Sequence, residues 1–272
     1  MSLTPQGIKI GLFTFSYYGF LILLAVILSM LLSYRRLKAR HLDTRHLAPL
    51  TMVVLVAAVL GARIWYASFP PPAAIRVGIT AEFYRRSLLD FFAFWQGGFA
   101  LPGAVIGGMI GFLIYIFRNQ LPRKPWLRAA ILIIPFAIAI IIWGNFLNQE
   151  NYGLPSQLPW AINIEPAFRV PGYTSLSMYH PLFLYQSLWA LFTVISVVVY
   201  ERKTHQDAFT VSLTGAILAF GFILLETIRI DAGFASTMRI SFWAVVLLFS
   251  LMRLVFQWRN TQQNRYSENL HT

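Results

Sequence analysis

Arg63, Glu150, Glu226, Arg229 and Arg253 are charged side chains in otherwise apolar surroundings. A charge at membrane depth is expensive, so each marks a candidate site. Glu226 and Arg229 stand three apart, share a helical face and can pair. At that depth such a pair is either a structural ion pair or part of a polar cavity wall. Arg63, in Gly61-Ala-Arg63-Ile-Trp-Tyr66, either snorkels its charge to the interface or binds a phosphate. Arg253 lies near a span end, where snorkelling explains it.

In Trp143-Gly144-Asn145-Phe146-Leu147-Asn148-Gln149-Glu150, Asn145, Asn148 and Glu150 set amides and a carboxylate close together. Spacings of three and five do not fully share a helical face, so part of this stretch reads as an unwound end. It is either a solvated helix end or a site, and Gly144 permits close backbone approach. His180 precedes Pro181 and is followed by Tyr185-Gln186. Base, hydrogen-bond donor and helix-start residue all remain open for it. No partner stands at ligand spacing, so no metal is expected. Gln96-Gly-Gly-Phe-Ala-Leu-Pro102 through Gly107-Gly108 supports either close helix packing or a helix start whose N–H groups face an anion. Together these residues suggest an anionic-ligand site near the outer leaflet, at the outer ends of spans two to six.

The elements that must position them are membrane helices. The chain is 57% hydrophobic and 12% charged, against roughly 25% charged in soluble domains. The deficit falls in long runs such as Gly11–Ser33, which contains no charge. In lipid every backbone polar group needs an internal partner, so such runs are helices. The expected fold is all-α and polytopic, a single membrane domain over 1–272. Its seven spans lie near 11–33, 48–68, 97–117, 129–148, 181–200, 209–228 and 240–257. Residues 69–96 form an extracytoplasmic interfacial arm of mixed aromatics and arginines, and 149–180 form an extracytoplasmic head insertion with four prolines.

Of the twenty-two Lys and Arg residues, thirteen fall in links 34–47, 118–128, 201–208 and the tail, and seven on the other side. Arg63 and Arg253 lie within spans. This bias predicts N-terminus out and C-terminus in. It also accounts for the net charge of +12 without nucleic acid as a partner. Positive charge follows the first apolar run instead of preceding it, so a cleaved signal peptide is not expected. With no Cys, disulfides, iron–sulfur clusters and a cysteine nucleophile on this chain are excluded.

Taken in order, these segments resemble the prolipoprotein diacylglyceryl transferase family. The residues that carry the resemblance are Tyr18-Gly19, Gly61-Ala-Arg63, Trp95-Gln-Gly-Gly98 through Gly107-Gly108, and Gly144 to Glu150 with Gly153. Leu158-Pro159-Trp160-Ala161, His180-Pro181 with Leu184-Tyr185, and Phe222 to Glu226 with Arg229 complete the set. The resemblance spans nearly the whole chain. It implies a multi-pass enzyme of the bacterial inner membrane that needs no cofactor. Its partners would be phosphatidylglycerol, the surrounding membrane lipid and the signal peptides of preprolipoproteins. The diacylglyceryl group would pass to the lipobox cysteine, forming a thioether and releasing glycerol phosphate.

On this resemblance Tyr18, Glu150, His180 and Arg229 serve catalysis, and Glu150 or His180 handles the proton. Arg63, Gly144, Asn145, Asn148, Gly153, Tyr185 and Glu226 bind the lipid. Three positions depart from the family pattern: two of its arginines correspond to Ile142 and Gly221, and a histidine corresponds to Pro102. The departures favour an alternative, a member that binds lipid or lipoprotein without transfer, and would also suit a less anionic donor. A transporter is a third class, but the chain lacks the paired halves with broken helices common there.

Overall fold

The computed structural model describes residues 2–4, 7–10, 13–70, 74–75, 78–93, 98–204, 208–231 and 234–270. The first helix, α1, runs Tyr17–Ala39 and starts six residues into the apolar run. Ahead of it β1 (Ser2–Thr4), β2 (Gly7–Ile10) and β3 (Phe13–Ser16) form an antiparallel meander, with Ser2 opposite Lys9 and Gly7 opposite Ser16. Phe13-Thr14-Phe15-Ser16 alternates apolar and polar residues, a period that suits a strand.

Then follow α2 (Leu47–Ser68), the short arm helices α3 (Ala81–Arg86) and α4 (Leu88–Phe91), and α5 (Leu101–Arg118). Next come α6 (Arg123–Ala130), α7 (Ile133–Ile141) and α8 (Trp143–Leu147), three pieces of one apolar stretch. The α6–α7 break has a local cause. Pro135 has no N–H for the Ile131 carbonyl, which takes the Ile134 N–H at 3.3 Å instead. The chain ends with α9 (Leu182–Thr204), α10 (Thr210–Glu226) and α11 (Phe234–Leu270).

Among the described residues, six helical stretches are long and apolar enough to cross a bilayer: 17–39, 44–68, 101–118, 123–147, 182–204 and 236–263. The sequence expects a seventh span at 209–228. Its helix, α10, has 17 residues, about 26 Å of helix, and falls short of membrane length by itself.

The burial pattern suits lipid as the solvent. Phe249, Met252 and Phe256 on α11 are about two-thirds exposed, whereas Thr193, Thr210, Ser212 and Thr214 are buried. Large apolar side chains face outward while small hydroxyl residues sit between helices, as expected where lipid surrounds the protein. The α2–α5 crossing is closest of all. A Cβ at Gly61 would lie 2.3 Å from the Gly103 carbonyl oxygen, and one at Gly107 2.2 Å from that of Ala57. Of the two open readings for the glycine-rich segment, these contacts support packing.

At the end of the bundle remote from the head, Glu201 accepts from Arg36, Arg40 and Thr210, tying α1, α9 and α10 together. Near the head, Ile138, Ala139, Ile142, Phe183, Phe222 and Trp243 form an apolar core where α7, α9, α10 and α11 meet. The head folds around buried Tyr152, Ile164 and Tyr179. Its strands β4 (Ile162–Asn163) and β5 (Met178–Tyr179) pair antiparallel.

Candidate active site

The site begins where α8 unwinds. Gln149 takes a left-handed φ of 56°. Its N–H donates to the Phe146 carbonyl, and the Glu150 N–H reaches back to that of Asn145 at 2.8 Å. This Schellman closure ends the helix and turns Glu150 off its axis. Asn151, also left-handed with φ 59°, then redirects the chain. Its backbone N–H donates to Asp231 Oδ2 at 2.7 Å and its side-chain amide to Gln186 Oε1 at 2.7 Å.

Beyond Asn151 the chain is extended and lies between two others. Gly153 N–H donates to the His180 carbonyl at 2.9 Å, and Leu154 N–H to that of Ile228 at 3.0 Å. Gly153 also bridges to Arg229. A Cβ at Gly153 would sit 3.0 Å from the Ile228 carbonyl oxygen and 3.2 Å from His180 Cβ. The glycine therefore lets His180 and Arg229 flank one backbone, roughly 10 Å apart at two strand spacings.

Arg229 meets Asp231 through Nε and through Nη2 at 3.2 Å. Its Nη1 stands 3.9 Å from Glu226 Oε2. Glu226 is buried, and its Oε1 accepts from Ser236 Oγ at 2.7 Å and from Arg239 Nε and Nη2 at 2.9 and 2.6 Å. The resulting network runs Asn151–Asp231–Arg229–Glu226–Arg239.

Burial alone would raise the Asp231 pKa, but the Arg229 guanidinium, the Asn151 N–H and Arg239 outweigh it and hold the carboxyl below its ordinary value. Glu150 goes the other way. It is exposed on one side, yet the burial that remains pushes its carboxyl up. Repulsion from Asp231 adds to the rise and Arg229 opposes it. Burial and Asp231 also push the Tyr152 hydroxyl up to about 12, so it stays a donor, to the Phe168 carbonyl at 2.6 Å.

His180 Nδ1 lies 3.0 Å from the Tyr185 hydroxyl, which accepts from Trp160 Nε1 at 2.8 Å. The Tyr185 oxygen that accepts the indole N–H keeps a second lone pair and its own proton, so the His180 contact forms with either ring tautomer. The indole, phenol and imidazole thus form one hydrogen-bonded chain, and Nε2 makes no hydrogen bond among the described residues.

The Tyr18 ring packs against Gly144, where a Cβ would fall 1.8 Å from it. Its hydroxyl is within electrostatic reach of Glu150. The side-chain amides of Asn145 and Asn148 make no hydrogen bond among the described residues, and both residues are half-buried.

Arg63 stands apart from this cluster and does not snorkel to the interface. It is buried, and its guanidinium donates to the carbonyls of Asp90 (2.7 Å), Phe91 (2.9 Å), Gly98 (3.2 Å) and Ala93 (3.4 Å). It clamps the arm onto α2. Gly98 has φ 78°, and a Cβ there would meet Arg63 Nη1 at 2.4 Å, so only glycine suits this position. Trp95, Gln96 and Gly97 of the same motif lie outside the described residues. Replacing Arg63 with Met is expected to strand these carbonyls, costing about 3 kcal/mol. Limited proteolysis in micelles should then cut within 88–98 while leaving the bundle intact.

The departures from the family pattern are apolar packing. Ile142 belongs to the buried core. A Cβ at Gly221 would meet Trp189 Nε1 at 1.9 Å, and that indole donates to the Ile217 carbonyl at 2.8 Å. Pro102 is buried in the first turn of α5.

Asp231, Asn151 and Ser236 are not singled out by the sequence. Asp231 follows Arg229 by two residues, a charge partner in plain view. Arg239 counts in the sequence as an outer-link charge and, with Arg63, as an arginine able to fill the place of a missing one.

A family model described as prolipoprotein diacylglyceryl transferase matches residues 5–258. Relatives named phosphatidylglycerol–prolipoprotein diacylglyceryl transferase include proteins of Thermotoga maritima and Thermosynechococcus vestitus. The first is 32% identical over 82% of this chain and 74% of the relative. The second is 31% identical over 92% of each. One from Synechocystis is 33% identical, covering 87% of this chain and 82% of its own. The match runs through every segment that builds the site, from Tyr18 to Arg239, and the chain belongs to the prolipoprotein diacylglyceryl transferase family.

Proposed function

We propose that this protein transfers the diacylglyceryl group of phosphatidylglycerol to the lipobox cysteine of a preprolipoprotein signal peptide. The reaction takes place at the outer leaflet of the bacterial inner membrane, with the chain threaded N-out and C-in. The observation that carries the reading is the placement of His180 and Arg229 on either side of Gly153, close behind Glu150.

Glu150 takes the proton from the substrate thiol. The sulfur then forms a C–S bond to the glycerol carbon of the diacylglyceryl group. The C–O bond to phosphate breaks, and its electron pair leaves on the oxygen of glycerol phosphate. Arg229 brings its positive charge to the phosphate, and the bidentate Asp231 contact fixes the guanidinium plane. His180, oriented by Tyr185, offers Nε2 to the substrate. Tyr18 closes the site beside Glu150 over Gly144, and Asn145 and Asn148 offer amides to the hydroxyls of the headgroup. Glu226 holds the cations, and Arg63 secures the arm that borders the site.

The test is direct. Purified protein in detergent is mixed with labelled phosphatidylglycerol and a lipobox peptide bearing one cysteine. The peptide should gain the diacylglyceryl mass as glycerol phosphate appears. Bound lipid or peptide with no product would overturn transfer and leave a binding protein on this fold.

A further inference from the structure

We infer that Arg239 is a second phosphate-binding cation. With Arg229 it forms a two-guanidinium seat for the donor's phosphodiester and for the glycerol phosphate that leaves. The inference rests on the transfer reaction proposed above and adds a residue from another helix to it.

Arg229 lies just past the end of α10 and Arg239 in the second turn of α11. Both border one carboxylate. Glu226 Oε1 takes Nε and Nη2 of Arg239, and Glu226 Oε2 faces Nη1 of Arg229. The carboxylate is sealed, with 2% of its side chain exposed, whereas Arg229 and Arg239 keep 16% and 20%. The anion that aligns the pair is therefore inside, and the exposure that remains belongs to the cations.

Arg229 has Nε and Nη2 on Asp231 and Nη1 turned to Glu226, whereas Arg239 has only Nε and Nη2 engaged, and among the described residues its Nη1 makes no hydrogen bond. A planar guanidinium held along one edge and open at the other, as Arg239 is, suits the fork geometry of phosphate oxygens. Other arginines at this end are occupied differently. Arg63 is bound to arm carbonyls, and Arg169 donates to those of Ile164 and Thr174. Glu226 and Asp231 already balance the two positive charges, so the seat holds an anion moderately, which suits a leaving group that must depart.

The experiment compares wild type, Arg239→Gln and Arg239→Lys for kcat, for KM of phosphatidylglycerol and for inhibition by added glycerol phosphate. Arg239→Gln should raise KM about tenfold and weaken inhibition by a similar factor, the loss of one charge-assisted hydrogen bond. Arg239→Lys should recover much of both. An unchanged KM and unchanged inhibition in Arg239→Gln would reduce Arg239 to a structural partner of Glu226, whatever the melting temperature does.

Should Arg239→Gln fail to fold, the double variant Glu226→Gln/Arg239→Gln removes both charges together and is expected to show the same two losses. If wild type makes no product, the transfer reading fails separately. Displacement of labelled phosphatidylglycerol by glycerol phosphate then tests the seat. Displacement that is weaker in Arg239→Gln upholds it, and equal displacement overturns it.

Discussion

Arg229→Lys is expected to lower transfer about 10²–10³-fold, the usual cost of losing one positioned donor at a developing charge, while the protein still folds. Arginine engages both oxygens of Asp231 and turns its remaining nitrogen toward Glu226. Lysine keeps the charge but cannot reproduce two parallel hydrogen bonds and a third donor in one plane. Asp231 retains the Asn151 N–H in this variant, so the turn that presents Glu150 should persist. Arg229→Ala is a poorer test because it removes the only guanidinium that bonds Asp231 among the described residues. Arg253→Ala, on the far part of α11, serves as the control and should transfer like wild type. Peptide mass gain reports activity and thermal unfolding in detergent reports the fold. Equal activity in Arg229→Lys and Arg253→Ala would sink the role assigned to Arg229.

Glu150→Gln should separate activity from stability in opposite directions. A thiol has a pKa of about 8.5, and a base whose own pKa is raised toward it accepts the proton more readily. Burial and Asp231 raise Glu150 above the ordinary carboxyl value near 4.5. The active form is the carboxylate, so wild-type transfer should increase with pH through that raised value. Glutamine removes that limb and costs about 10²–10⁴ in rate. For stability the sign is reversed. A carboxyl whose pKa the fold raises contributes its stability below the ordinary value and loses it as pH rises through the raised one. The neutral amide escapes that loss. At neutral pH Glu150→Gln should therefore melt no lower than wild type while transferring far less. A lower melting temperature with a parallel activity loss would make Glu150 a structural residue.

Much of this architecture was legible in the residues. Long uncharged runs have one solution in lipid, since each backbone N–H and C=O must find a partner within its own segment. The helices follow from that local rule, and so does the outward display of Phe249 and Met252. The local rule reached its limit at the N-terminus, where Phe13-Thr14-Phe15-Ser16 is apolar enough for a span but alternates like a strand. Glu150, His180, Arg229 and Glu226 were identifiable because charges and imidazoles are costly in such surroundings. The ordered motifs around them marked the family.

Tertiary structure decided which of these residues act together. Arg63 carries the same cost of burial as Arg229, yet four arm carbonyls about thirty positions away surround it. Asp231 is an ordinary link residue until Asn151, 80 positions earlier, donates to it. Arg239 joins the site only because α11 packs against the end of α10, which brings it to Glu226. Hydropathy is a property of each segment and can be read along the chain. A guanidinium becomes a clamp, a phosphate donor or a plain surface charge according to the acceptors folding brings within about 3 Å, and those acceptors lie far away in sequence.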